Sequence, residues 1–270
     1  MTREVIYSVR GPKNMCEMTY EEVAEELKHT DLVIFEVSSI EEHGPHMPLC
    51  ADTIQGAEVS RRMVLKLGEE GIRAVAGPTI PFGICLQLMD FPGSITVSPA
   101  TLEALLKDVC NSLIRQGFRK LVLLVSHVQN LGVAYNVVQE ISQQPDVRIM
   151  ALNWIPLFRK HRSEIVKSKQ IDGHAGEGET ARVLAACPEL VMLERAQAYH
   201  PEAQERLEFD EPFHAGGGVF DPPREMREET PVGNVGDPSL ATAETGEKCY
   251  DLIVGWCCEV VKRHFKLQGL

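Results

Sequence analysis

No stretch of this 270-residue chain is apolar over the roughly 18 residues that a membrane-spanning helix needs, so the sequence offers no candidate span. The opening residues, MTREVIYSVRGPKNMCEMTYEE, lack the apolar core of a secretory leader. Basic residues are in short supply: Lys and Arg number 27 against 39 Asp and Glu, a formal charge of −12. That balance repels nucleic acid and anionic membranes, and neither is an expected partner. Part of the excess is local, because 201–230 holds nine acidic residues, three arginines and no lysine. The eight cysteines form no C-x-x-C pair and are scattered through apolar surroundings. They read as reduced, mostly buried thiols of a cytoplasmic protein. Cys50 is set apart only by lying in a segment crowded with metal-binding side chains. No internal repeat and no low-complexity linker divides the chain, so residues 1–270 are expected to form one domain, with 201–237 an elaborated loop of it.

Four short apolar runs rich in β-branched residues stand out: LVIFEVS (32–38), IRAVAGPTI (72–80), KLVLLVSH (120–127) and VRIMALNW (147–154). They are continuous rather than alternating, the pattern of strands covered on both faces. Helical patterns lie between them. Thr19 and Glu22 form a capping box ahead of Val23 and Leu27. Ser98-Pro99 opens a helix with the apolar stripe Leu102, Leu105, Leu106, Val109 and Leu113, and Gly117 stops it. Further helices are expected over 53–68, 130–143, 178–187 and 243–265. This alternation specifies an α/β fold, a mostly parallel sheet with helices on both faces.

In such a sheet, ligands bind beyond the carboxyl ends of the strands. The segment SSIEEHGPHMPLCADT (38–53) leaves the first strand there and carries Glu41, His43, His46 and Asp52. His127 ends the third strand, and DGHAGEGET (172–180) follows the fourth. Imidazole nitrogen and carboxylate oxygen together suit Zn²⁺, Mn²⁺ or Fe²⁺ better than Ca²⁺ or Mg²⁺. Two such cations about 3.5 Å apart share a hydroxide of lowered pKa and polarise a substrate carbonyl. Each residue also has a plainer reading. Asp52 could be a helix N-cap, His127 a satisfied strand-end histidine, Glu177 and Glu179 partners of a helix dipole, and His43 and His46 loop surface. Trp154 could wall a pocket or sit in the core. His214 is a surface or pocket residue of the long loop. Convergence of the set on one sheet edge favours a metal site.

Residues 38–53 resemble the creatininase family pattern G-S-x-E-Q-H-G-P-H-L-P-L-x-x-D-T. FPGSITVSP (91–99), VSHVQN (125–130), DGHAGEGETA (172–181) and VGDPSLATAETG (235–246) match its later blocks in order. The resemblance implies a three-layer sandwich, a two-metal hydrolytic centre and a hexamer. Carried over by position, it implies that Glu41, Asp52 and His127 hold one metal. His43 and Asp52 hold the second, with Asp52 bridging. Creatininase completes that second site with a Glu where this chain has Gln129, so Glu179 is the expected replacement. His174 matches the catalytic histidine, a proton shuttle, and Glu177 is a further candidate catalytic residue. Val128 and Gln129 replace two glycines of most relatives, Leu88 stands near a usual histidine, and Gly173 replaces a Glu of creatininase. Gln129 and Trp154 are thus candidate substrate contacts.

Three functions follow as expectations. The first is hydrolysis of a cyclic amide or other C–N bond in a small polar molecule by two divalent ions, Zn²⁺ or Mn²⁺, with Fe²⁺ as a further candidate. The second is hydrolytic ring opening of a cyclic keto-sugar or inosose at the same metals. The third is a non-catalytic metal-binding scaffold, which the free proton shuttle argues against.

Overall fold

The computed structural model describes residues 14–201 and 225–268, so His214 and most of the acidic segment lie outside the described residues. The four apolar runs form four strands: β1 (Leu32–Val37), β2 (Val75–Ile80), β3 (Lys120–Val125) and β4 (Arg148–Leu152). All neighbours pair parallel, in the order β2-β1-β3-β4. β2 begins later than its apolar run. Gly71, at φ 77°, closes the preceding helix, and the Ile72 amide bonds back to the Leu67 carbonyl, so the chain is still turning at Ile72.

Eight α-helices are described: α1 (Tyr20–Glu26), α2 (Ala51–Glu69), α3 (Pro99–Gln116), α4 (Leu131–Ile141), α5 (Ile155–Ile165), α6 (Glu177–Ala186), the single turn α7 (Met226–Glu229) and α8 (Ala243–Phe265). The local signals act as read. Thr19 and Glu22 close their capping box, and the Ser98 hydroxyl accepts the Thr101 amide ahead of Pro99. Gly117 ends α3 at φ 124°, a backbone region that favours glycine. Helix α5 has no counterpart in the sequence reading, because Phe158 is its one buried residue and no apolar stripe marks it.

Every residue of β1 is buried, as a strand covered on both faces must be. Leu32, Ile34, Val122 and Leu124 pack against α2, α6 and α8 on one face. Val33, Phe35, Leu121 and Leu123 pack against α3 and α4 on the other. The architecture is the expected α/β sandwich of three layers. The chain leaves β1 toward one edge of the sheet and leaves β3 toward the other, so the topological switch point lies between their carboxyl ends. That is where a crevice opens in a sheet of this kind. Among the described residues, no helix is long and apolar enough to cross a membrane.

Candidate metal centre

Glu41 and His43 leave β1 at this switch point, and His127 leaves β3 beside them. Asp52 does not cap α2. It sits in the first turn, two residues past Cys50, which caps the helix without a side-chain hydrogen bond. The carboxylate is instead divided between two histidines: Oδ2 lies 3.1 Å from His127 Nδ1, and Oδ1 lies 3.4 Å from His43 Nε2. Glu41 Oε1 is also 3.1 Å from His127 Nδ1, and Glu179 Oε2 is 3.8 Å from His43 Nε2. Glu41, His43, Asp52 and His127 are all buried.

The outer nitrogens of both histidines are held by backbone. His127 Nε2 faces the Ile84 carbonyl at 2.8 Å, and His43 Nδ1 faces the Glu41 carbonyl at 3.2 Å. A ring nitrogen that donates outward leaves the inner one as the ligand atom, the usual support of a metal-binding histidine. Asn130 secures the first of these contacts. Its amide donates to the Ser38 carbonyl while its oxygen accepts the Ile84 amide, tying the ends of β1 and β3 to the loop that holds His127.

A cluster so rich in buried acid needs positive charge. Burial works against a charged His43, yet Asp52, Glu179 and Glu41 lift its pKa to about 10. His127 is likewise raised by Glu41 and Asp52 against burial, and the two imidazoles hold Asp52 well below the usual carboxylate range although burial opposes it. Among the ligand atoms of this cluster, Glu41 Oε2 and His43 Nε2 are buried without a hydrogen-bond partner. Orphaned atoms of both ligand types, beside a carboxylate already shared between two histidines, fit divalent cations. Among the described residues, two groups are compact enough to hold an ion: Glu41, Asp52 and His127, and Glu41, His43 and His174.

A cavity of about 180 Å³ opens on this cluster. Gln129, Trp154, Leu88 and Phe158 line it, together with His174 and Glu179. Trp154 belongs both to the core packing and to the pocket wall, so its two readings are compatible. Gln129 Oε1 is buried without a hydrogen-bond partner. The His174 ring stands 4.5 Å from that of His43, in a turn where Ala175 adopts φ 50° and donates its amide to Glu179 Oε2 at 2.7 Å. His46, the last histidine of the first motif, faces the Thr180 hydroxyl at 2.9 Å, and burial first, then neighbouring His43, depresses it to about 4. It is a neutral histidine bracing the motif against α6.

One expected catalytic residue is corrected. Glu177 is fully buried, and its two oxygens accept the amides of Lys167 (2.8 Å) and Ser168 (2.7 Å). It does not line the cavity. Each carboxylate oxygen is held by a backbone amide, so the side chain pins the loop after α5 rather than facing the cavity. Conversely, the sequence reading passed over Glu42, whose carboxylate touches His174 at 3.2 Å. The one available signal was the acid standing where the family pattern has Gln.

A parallel α/β sheet with a buried histidine–carboxylate cluster and a cavity at its switch point is a frame suited to a metal-dependent hydrolase. The family model described as creatinine amidohydrolase matches residues 16–261. The chain belongs to the creatininase family. Among its relatives, the mycofactocin precursor peptide peptidase of Mycolicibacterium smegmatis is 28% identical, over 86% of this chain and 85% of that protein. The 3-dehydro-scyllo-inosose hydrolase of Thermotoga maritima is 27% identical, over 91% and 81%. A glutamate-to-glutamine creatininase variant in a Zn–Zn form shares the fold, with a TM-score of 0.75 at 23% identity over 95% of this chain and all of that one. A manganese form of creatininase has also been solved.

Proposed function

We propose that this protein is a two-metal hydrolase that cleaves a C–N bond, a cyclic amide above all, in a small polar substrate. The observation that carries the reading is the division of Asp52 between His127 and His43, which provides for two adjacent cations with one bridging carboxylate. Glu41, Asp52 and His127 would hold the first, and His43, Asp52 and Glu179 the second. The donor set suits Zn²⁺ and Mn²⁺, with Fe²⁺ as a further candidate. Bound there, such ions supply Lewis-acid polarisation of a carbonyl and activation of water.

The remaining work falls to the chain. Trp154, Leu88 and Phe158 present apolar surface to a flat substrate and keep bulk water out. Gln129 offers its unpartnered oxygen to a substrate N–H. His174 delivers a proton to the leaving nitrogen. The same reading makes residues 1–270 one domain of a cytoplasmic homo-oligomer, a hexamer by family resemblance. The eight cysteines form no disulfide, which suits a reducing compartment.

The test is elemental analysis of protein purified without added metal or chelator, followed by turnover of a lactam and amide panel. Near two metals per chain, falling toward one in His43→Ala and in Glu179→Ala, with turnover lost in His174→Ala, is the expected result. One metal unchanged by Glu179→Ala would sink the two-metal reading. A second substrate class, ring opening of a cyclic keto-sugar or inosose, is favoured by the Thermotoga relative and by Leu88 and Gln129 lining the cavity at positions that depart from the family pattern. Turnover of inososes but not lactams would select it.

A further inference from the structure

Glu42 stands between the segment that carries the metal donors and the turn that carries His174. Its side chain is buried and makes contacts on both sides. Oε2 accepts the Gly44 amide at 2.9 Å, inside the turn that follows His43. Oε1 lies 3.2 Å from His174 Nε2, and the main-chain carbonyl of Glu42 lies 2.9 Å from the same nitrogen. The Glu42 amide donates in turn to the Ser94 hydroxyl at 3.0 Å, which anchors the backbone. Gly233 packs so closely on the carboxylate that a Cβ there would collide with Oε2, so the side chain has no room to swing away.

A nitrogen facing two acceptors must carry a proton. An imidazole whose Nε2 is the donor presents Nδ1 as its other functional atom. We propose that Glu42 is a positioning residue of the reaction: its carboxylate and carbonyl hold His174 in the Nε2–H tautomer and assign Nδ1 as the atom that exchanges a proton with the substrate. The inference rests on the reading of His174 as the proton shuttle. Its logic is that of a buried carboxylate orienting a catalytic histidine.

The residue type matters, because two N–H donors, Gly44 and His174, converge on one side chain. A carboxylate accepts from both. An amide accepts with one end and turns an NH₂ group toward the other donor, so the glutamine of the family pattern cannot satisfy both contacts in this arrangement. With the amide oxygen on Gly44, the NH₂ group favours the opposite tautomer of His174.

The experiment is two-bond ¹H–¹⁵N correlation spectroscopy of histidine-labelled, zinc-loaded protein at a pH where the ring is neutral, with the His174 signal identified by its loss in His174→Asn. The wild-type ring is expected as the Nε2–H tautomer and as a mixture in Glu42→Gln. In parallel, kcat should fall about 10- to 100-fold in Glu42→Gln, with KM and zinc content unchanged. A wild-type ring in the Nδ1–H form would overturn the inference. So would a Glu42→Gln protein with unchanged tautomer and unchanged kcat. Loss of zinc in step with kcat would also overturn it, because Glu42 would then act on the metal loop through Gly44. If the wild type turns over no amide while the tautomer still shifts in Glu42→Gln, the amide reading fails and the hold of Glu42 on His174 stands.

Discussion

Single residues in this protein are placed by the number of partners they must serve. Asp52 serves two histidines with two oxygens, a task an amide cannot share. Asp52→Asn is therefore expected to lower occupancy at both metal positions, whereas His43→Ala lowers one; metal content per chain separates the two outcomes. Glu36 has the opposite problem. It is fully buried in β1, its Oε1 accepts the Thr79 hydroxyl, and its Oε2 has no hydrogen-bond partner. Burial pushes its carboxyl up to about 8, against the Thr79 hydrogen bond and the Arg61 charge. The folded protein thus keeps a proton that the unfolded chain releases near pH 4.5. Stability contributed by this group is intact below that pH and is lost progressively as pH rises toward 8. The full shift corresponds to on the order of 5 kcal/mol. Glu36→Gln keeps the hydrogen-bond acceptor and removes the titration. Its stability relative to wild type should rise between pH 5 and pH 8 in denaturant titrations; parallel curves for the two proteins would contradict this.

At the scale of elements, the helix pair α6 and α8 sets where Glu179 stands, and with it the second metal position proposed above. α6 carries Glu179 near its start and lies against α8 so closely that a Cβ on Gly246 would collide with the Ala181 carbonyl. Backbone cannot give way as a flexible side chain does. Gly246→Ala is expected to cost about 3 kcal/mol, the upper end of ordinary overpacking, and to displace α6 relative to β1. A lowered melting temperature accompanied by selective loss of one metal is the expected outcome. Loss of stability with both metals retained would show that α8 supports the fold without setting Glu179. The turn at Asn130 bears similarly on the first proposed position, since it fixes the loop that orients His127.

For the whole molecule, the balance is between protons and metal ions. The chain carries a formal −12 and gathers Glu41, Asp52 and Glu179 around two histidines. His43 titrates near 10 and His127 is also raised, so below that range cations must displace protons to bind. Acid strengthens the competitor. Apparent metal affinity should fall as pH falls, by about tenfold per pH unit for each proton displaced. Calorimetric titration of chelator-treated protein across pH 6 to 8 measures the slope, and a flat profile would mean that the histidines do not ligate. Metal binding also stabilises the fold by mass action, about 4 kcal/mol at a thousandfold excess over Kd. Chelation should therefore lower the melting temperature reversibly.

The sequence alone determined the sheet, the helices that cover it and the edge at which chemistry collects. Those features depend on local information: continuous apolar runs, capping residues and the positions of Glu41, Asp52 and His127 relative to strand and helix ends. Family resemblance added the pairing of ligands into two groups. Only the tertiary structure decided which polar partner each side chain takes. Asp52 could have capped α2 as well as bridged two histidines, and Glu177 could have reached the cavity as well as the loop at Lys167. Glu42 meets His174 across 132 positions of sequence, a contact no local pattern encodes. Several hydrogen-bond partners of comparable strength are open to each of these side chains, and the choice among them follows from distances and angles that exist only after the three layers have packed.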